Sequence, residues 1–276
     1  MTAVAAEPMV VETDSAAATR LQVTQGRVVF SEWTKFRSLR STVYTVIAAV
    51  VLMVGLGAMF AAITASQPGG PDPGSTAIST SLTGTFFAQL AIGVLGVLLI
   101  TGEYSTGMIR SSLTSVPSRL PMLWGKLAVF AVVVFLTMLA ASFASFLIGQ
   151  ALLSGHHPNA SLSSPGALRS VVGASLYLTV AGITALALGA LLRNTAAAVT
   201  TFVAVFFVIP PLTLLLPMSI TDHFVQYLPS NAGAVLMDGT FGIAHPLSPW
   251  IGFTVMCGYA IVLIGLAGWR LRRVDA

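Results

Sequence analysis

Apolar residues along this chain neither alternate with polar ones nor keep to one helical stripe; they come in unbroken runs that are apolar on every face. A helix rising 1.5 Å per residue needs about 20 such residues to cross roughly 30 Å of hydrocarbon. Six runs meet that length: Val43 to Ala65, Ser79 to Thr101, Leu127 to Leu153, Val171 to Leu192, Ala196 to Met218 and Pro249 to Trp269. A membrane β-barrel would show short segments of alternating character instead. The pattern predicts an all-α integral membrane protein with six transmembrane helices, residues 42–276 forming a single transmembrane domain.

The segments between the runs differ in kind. Residues 1–22 mix Ala, Thr, Val and acids without periodicity, which predicts a disordered tail, and Glu7, Glu12 and Asp14 are unlike the basic start of a secretory signal. Over 23–41, Val29, Trp33 and Phe36 share one helical face while Arg27, Ser31, Thr34, Lys35 and Ser38 share the other. That division predicts an amphipathic helix lying on the membrane surface rather than a plain basic lead-in. Gln67 to Ser75 is dense in Pro and Gly, a simple turn. Arg193, Asn194 and Thr195 are nearly all that separates spans four and five, so those helices form a tight hairpin, and Ala181, Ala185 and Gly189 offer span four a small-residue stripe for close helix approach. Span five ends in Pro210, Pro211 and Pro217, and Ser219 to Ser248 remains too apolar for open water, which predicts a re-entrant or outer-face helical hairpin between spans five and six.

The connection between spans two and three, Gly102 to Lys126, is longer than turning the chain requires. Its Ile109, Leu113 and Val116 fall at helical spacing, with Glu103 ahead of them and Pro117 and Pro121 placed to stop the helix before span three. Such a short amphipathic helix in a loop suits contact with another protein.

Charge then orients the six spans. Lys and Arg accumulate on the cytoplasmic side of membrane proteins. Of the 13 basic residues, those before span one, between spans two and three, between four and five, and after span six all fall on one side, leaving Arg169 alone on the other. Both termini and the Gly102 to Lys126 loop are therefore expected in the cytoplasm. Only 8% of the residues are charged, against about a quarter in soluble domains. The net charge of +4 sits in small groups at the membrane edges and forms no stripe for a nucleic acid.

Candidate chemistry narrows the function mainly by what is missing. No acid or base lies in the middle of any span, where ion-coupled transporters place their relays. The phosphate-cradling G-x-x-x-x-G-K-[ST] pattern is absent: Gly125 and Lys126 are followed by Leu127 and lack the upstream glycine. His156, His157, His223 and His245 lack the spacing of a zinc site, the single Cys257 precludes an internal disulfide, and no Ser, His and Asp set shares a membrane depth. The chain is not expected to be an enzyme by itself or to bind a cofactor or metal, so any work it does must draw energy from elsewhere.

In the lead-in SEWTKFRSLRS at Ser31 to Ser41, in GEYSTGMIRSSL…VPSRLPMLWGK at Gly102 to Lys126, and in the six-span plan with its long segment between spans five and six, the chain resembles the ABC-2 family of bacterial ABC transporter membrane subunits. It departs from that pattern just after the acid, where Tyr104, Ser105 and Thr106 replace further charged residues. The resemblance implies a permease subunit in the bacterial plasma membrane that pairs with a second permease, identical or related. Each would rest on one of two copies of a cytoplasmic ABC ATPase subunit, which would bind the ATP and Mg. It implies a coupling helix in the loop, with Glu103, Tyr104, Gly107, Met108, Arg110, Leu113, Pro117 and Arg119 at the contact and Glu32 and Lys35 nearby. Spans two and five would line the substrate path, with Phe86, Gln89, Phe202 and Phe206 facing it. Export of a drug-like, peptide or lipid substrate by alternating access is the implied function. A non-transporting membrane anchor that docks a cytoplasmic protein is the alternative, distinguished by whether an ATP-binding subunit accompanies the chain.

Overall fold

The computed structural model describes residues 25–67, 77–105, 119–154, 160–215, 224–239 and 245–273. The expected tail, the turn after Gln67, most of the span two to three loop, and His156, His157 and His223 lie outside these residues. Among the described residues six helices are long and apolar enough to cross a membrane: Arg40–Ser66, Gly84–Tyr104, Met122–Leu153, Ala167–Leu192, Thr195–Leu212 and Pro249–Arg273. A separate lead-in helix, Gln25–Ser38, precedes them, and the chain breaks at Leu39, whose extended backbone turns it into span one.

Span four is the centre of the bundle. Of its most apolar window 78% is buried, against 22% in spans one and six and 17% in span five, so those three are the most exposed spans of the single chain. The burial follows from the expected small-residue stripe. Ala181 and Ala185 are fully buried, and a methyl group added at Gly96 of span two would overlap the Gly182 carbonyl. One added at Gly189 would come within 2.7 Å of Ile100. Small side chains on both helices therefore bring the backbones of spans two and four together, where dispersion contacts replace the hydrophobic drive that lipid cannot supply.

Several boundaries differ from the apolar runs for identifiable reasons. Span two begins at Gly84 rather than Ser79, because a short helix, Ala77–Ser81, ends in a turn that sets Gly84 against the Met53 backbone too closely for any side chain. Gln150 holds this short helix in place, donating to Ala77 O at 2.8 Å and Ser81 Oγ at 2.9 Å. At the other end span two continues to Ser105, so Glu103 belongs to its last turn. Span three starts at Arg119, and Pro121, expected to end a helix, instead sits in the first turn of one, where its missing N–H costs nothing. The described helices thus reach to residues 105 and 119 on either side of this connection.

Span five is regular to Val203, opens into a π-helical stretch at Ala204–Val208, and closes with Ile209–Leu212. Pro210 and Pro211 cannot donate back along the helix, and the Ile209 N–H reaches five residues back to Ala204 O, the widened turn expected before such a pair. The spans four–five hairpin is as tight as its three-residue spacing demands. Arg193 adopts a left-handed backbone at φ 55°, and Asn194 Oδ1 caps span five by accepting from the Ala197 N–H at 3.0 Å.

The connector between spans five and six is described over 224–239. It contains one short helix, Pro229–Ala234, flanked by 3₁₀ turns at Val225–Tyr227 and Val235–Met237, and Leu228 to Met237 are buried against spans four and six. A second helical arm is not among the described residues. Asp238 ends the connector in a left-handed conformation at φ 58°, accepting from the Arg169 guanidinium and from Ser170 Oγ at 2.8 Å. Arg169, the one cation on its side of the spans, is therefore neutralised. Exposed Trp33, Trp124 and Trp269 mark one edge of the bundle and Trp250 the other, the positions in which indole rings meet headgroups.

Candidate functional site

The lead-in helix packs against the bundle. Val28, Glu32 and Phe36 recur every fourth residue and are buried against span three, while the adjacent face, Val29, Phe30 and Trp33, is exposed. Phe36 therefore joins the protein-facing side rather than the face with Val29 and Trp33 on which its sequence position first places it. Gly125 sits where the two helices cross: a methyl group there would lie 3.0 Å from Val28 Cγ1 and 3.8 Å from Glu32 Cγ.

Burying Glu32 at 4% exposure requires a partner, and Lys126, itself only 2% exposed, provides it. Lys126 Nζ donates to Glu32 Oε2 at 2.6 Å and to Glu103 Oε1 at 2.8 Å. Lys35 Nζ donates to Glu32 Oε1 at 2.7 Å and lies 3.6 Å from Glu103 Oε1. Two acids and two bases from three helices thus form one neutral cluster. Burial alone would raise the Glu32 pKa, but the charge and hydrogen bond of Lys126, then those of Lys35, outweigh it and hold the carboxyl below its ordinary value. Burial likewise works to lower the Lys35 pKa, and Glu32 followed by Glu103 overcomes it, so the amine is raised.

The cluster brackets the residue 106–118 loop. Glu103 lies in the last turn of span two and Lys126 within the first turns of span three, so both ends of the loop are tied to each other and to the lead-in helix. Of the expected contact residues, the structure brings Glu32, Lys35 and Glu103 together. Tyr104 turns away, its ring under the Arg193 guanidinium at 5.4 Å. Arg119 begins the span three helix. Gly107, Met108, Arg110, Leu113 and Pro117 lie outside the described residues.

Lys126, which ends the loop motif that carries the family resemblance, is the member that sequence reasoning left out of the contact residues. Its signal was present in Gly125–Lys126: a glycine where two helices cross, next to a lysine that buries only when paired. At the same end Arg270 donates to the Leu191 carbonyl at the close of span four, and Arg273 lies 4.6 Å over the Trp269 ring.

The four expected path residues do not share one exposed face within the single chain. Gln89 is fully buried and accepts from Tyr177 Oη at 2.6 Å, linking span two to span four. Phe202 and Phe206 are buried and stack at 4.6 Å, with Phe202 against Gly93, where no larger residue fits. Phe86 is exposed, edge-on to Phe87 at 5.6 Å and to Phe207 at 4.9 Å. Among the described residues no group of three His, Cys, Asp or Glu converges on a metal position.

A six-span helical bundle whose spans two and three are tied by a buried ion cluster to an amphipathic lead-in helix defines a multi-pass membrane protein. The family model of the ABC-2 family transporter proteins matches residues 28–223, most of the chain and the whole of the cluster, and the chain belongs to that family. A search of curated proteins finds no match.

Proposed function

We propose that this chain is the membrane-spanning permease subunit of an ATP-driven exporter. It would pair with a second permease chain and with two cytoplasmic ABC ATPase subunits, which bind the ATP and Mg, and would move a drug-like, peptide or lipid substrate outward across the bacterial plasma membrane. The observation that supports this reading best is the neutral Glu32–Lys35–Glu103–Lys126 cluster. A loop tethered at both ends to three helices is a handle: a push on residues 106–118 is delivered to spans two and three and to the lead-in helix, and through Leu39 to span one. Rocking of packed helices between inward- and outward-facing states is the expected response. Spans two and five, with Phe86 at the surface between them, would border the substrate path. On this reading the cation-rich end faces the cytoplasm and both termini lie there.

Reconstitution tests the proposal. Wild-type chain should co-purify with an ABC ATPase, and transport should accompany ATP hydrolysis. Glu103→Ala should abolish transport while six-span insertion, followed by cysteine labelling of the termini, persists. Normal transport by that variant, or failure of any ATPase to bind the wild type, would remove the assignment.

A further inference from the structure

The buried ion cluster leaves the lead-in helix with an outer surface of one sign. Glu32 is the only acid in Gln25–Ser38, and it is buried beside Lys126, with Lys35 donating to it from the same helix. The helix's hydroxyls turn back onto their own backbone. Ser31 Oγ donates to Val28 O at 2.8 Å, Thr34 Oγ1 to Phe30 O at 3.0 Å and Ser38 Oγ to Lys35 O at 3.0 Å. The fully exposed charged residues are arginines: Arg27 and Arg37 on the helix, and Arg40 just past the break at Leu39. Span one adds no acid anywhere along Arg40–Ser66.

Phe30, Trp33 and Arg37 fall at i, i+3 and i+7 and so share one face, with Val29 beside them. Phe30 is 71% exposed and Trp33 45%. Two bare aromatic rings are costly in water, and this helix is joined to span one through Leu39 alone, so its face stays at the bilayer edge. An arginine stem lies along such a face while its head reaches the headgroup layer, where the planar guanidinium fork matches a phosphate. Phospholipid supplies both halves of the contact, acyl chain for the rings and phosphate for the forks. A zwitterionic lipid brings its own cation next to that phosphate, which a helix surface carrying only positive charge disfavours. An anionic lipid brings none.

We propose that the Phe30–Trp33–Arg37 face, continued by Arg40, is a binding surface selective for anionic phospholipid headgroups. It differs from the surface helix that the sequence pattern predicts both in its face, from which Phe36 is withdrawn, and in its charge, from which Glu32 is withdrawn. Cluster and lipid surface are two sides of one helix: sinking the acid into the bundle is what makes the outer side purely cationic. The surface is independent of what the spans move and of any ATPase, so it goes beyond the exporter reading and stands or falls without it.

Quenching by brominated lipid tests the surface in the full chain, reconstituted without ATPase into vesicles of roughly nine parts phosphatidylcholine to one part phosphatidylglycerol. Trp124→Phe, Trp250→Phe and Trp269→Phe together leave Trp33 as the reporter, and a matching chain keeps Trp250 alone, at the opposite edge. Bromine is carried on the acyl chains of one lipid or the other. Phosphatidylglycerol should quench Trp33 as though enriched roughly threefold or more over its bulk fraction, and should quench Trp250 only in proportion to that fraction. Arg37→Gln with Arg40→Gln should bring Trp33 to proportionality while circular dichroism stays native. If the pair does not insert, Arg37→Gln alone decides by the same measure, with a partial loss of enrichment expected. Proportional quenching of Trp33 in the parent chain would overturn the proposal, as would enrichment that survives the arginine substitutions or appears equally at Trp250. Absence of quenching by either lipid would overturn it too, and would assign the face to a soluble protein instead.

Discussion

Lys126 carries more of this structure than any other side chain. It is nearly inaccessible, and its two short contacts hold the only buried acids described, on helices 23 and 94 residues away in sequence. Replacing a buried pair by apolar residues is often tolerated, but removing one partner strands the other charge at a cost of about 3–5 kcal/mol. Lys126→Met is therefore expected to release the lead-in helix, seen as rapid proteolysis near Arg37. Adding Glu32→Gln and Glu103→Gln should slow that cleavage again. The pH response follows from signs. Glu32 has a folded value below the ordinary 4.5, so its contribution is complete above that value and is lost only as pH falls through the depressed one. Lys35 is raised above 10.5, so its contribution is complete below that value and is lost as pH rises beyond it. Protease resistance of the lead-in helix should hold flat between the two and fail outside them, acid and alkaline arms disappearing separately in Glu32→Gln and Lys35→Met.

At the scale of the element, glycines decide where helices meet. Gly125→Leu should displace the lead-in helix without touching any charge, because the new side chain would occupy the space of Val28 and Glu32, and the proteolytic pattern should resemble that of Lys126→Met. Gly96→Leu, opposite the Gly182 backbone, should be worse, destabilising the whole bundle by at least the roughly 1–3 kcal/mol usual for overpacking, read as a lower melting temperature. These elements were largely legible in the sequence. Runs of apolar residues locate helices well because hydrocarbon demands length, and the Arg193–Thr195 spacing permits only a hairpin. What hydropathy did not show was the last turn of a helix beyond the apolar run, as at Glu103, or the first turn before it, as at Pro121: charged and proline residues read as loop until a tertiary partner pays their desolvation. The burial of Phe36 and Glu32 on one face was equally hidden, since an amphipathic helix with two useful faces reads as one with a single face.

For the whole molecule, the two ends of the bundle are built on different terms. The cation-rich end is locked by buried ion pairs, whereas the opposite end is held by a half-exposed pair, Arg169 with Asp238, and by the connector resting on Tyr177. Exposed pairs contribute about 0–1 kcal/mol. Asp238→Asn should accordingly leave the melting temperature within a degree or two of wild type, while a cysteine placed at Ala232 should react faster with a water-soluble maleimide than in the parent. The expected path was the least legible feature. Gln89, Phe202 and Phe206 read as path residues because polar and aromatic groups in a span suggest a lumen, but a single chain buries them between its own helices, and which surfaces face a second subunit is not written in hydropathy.

The separation of Glu32 from Lys126 also sets a timetable for biogenesis. Ninety-four residues lie between them, and at roughly 5–20 residues per second the ribosome needs about 5–19 s to deliver the lysine after the acid. During that interval Glu32 has Lys35, on its own helix, as partner but no buried site to enter, so the lead-in helix is expected to wait at the membrane surface on its exposed Val29, Phe30 and Trp33 face. Docking can follow only when span three has been inserted, so on the proposed exporter reading the assembled cluster is a late checkpoint: a motor subunit that gripped the chain there would find nothing to hold on a chain still being made.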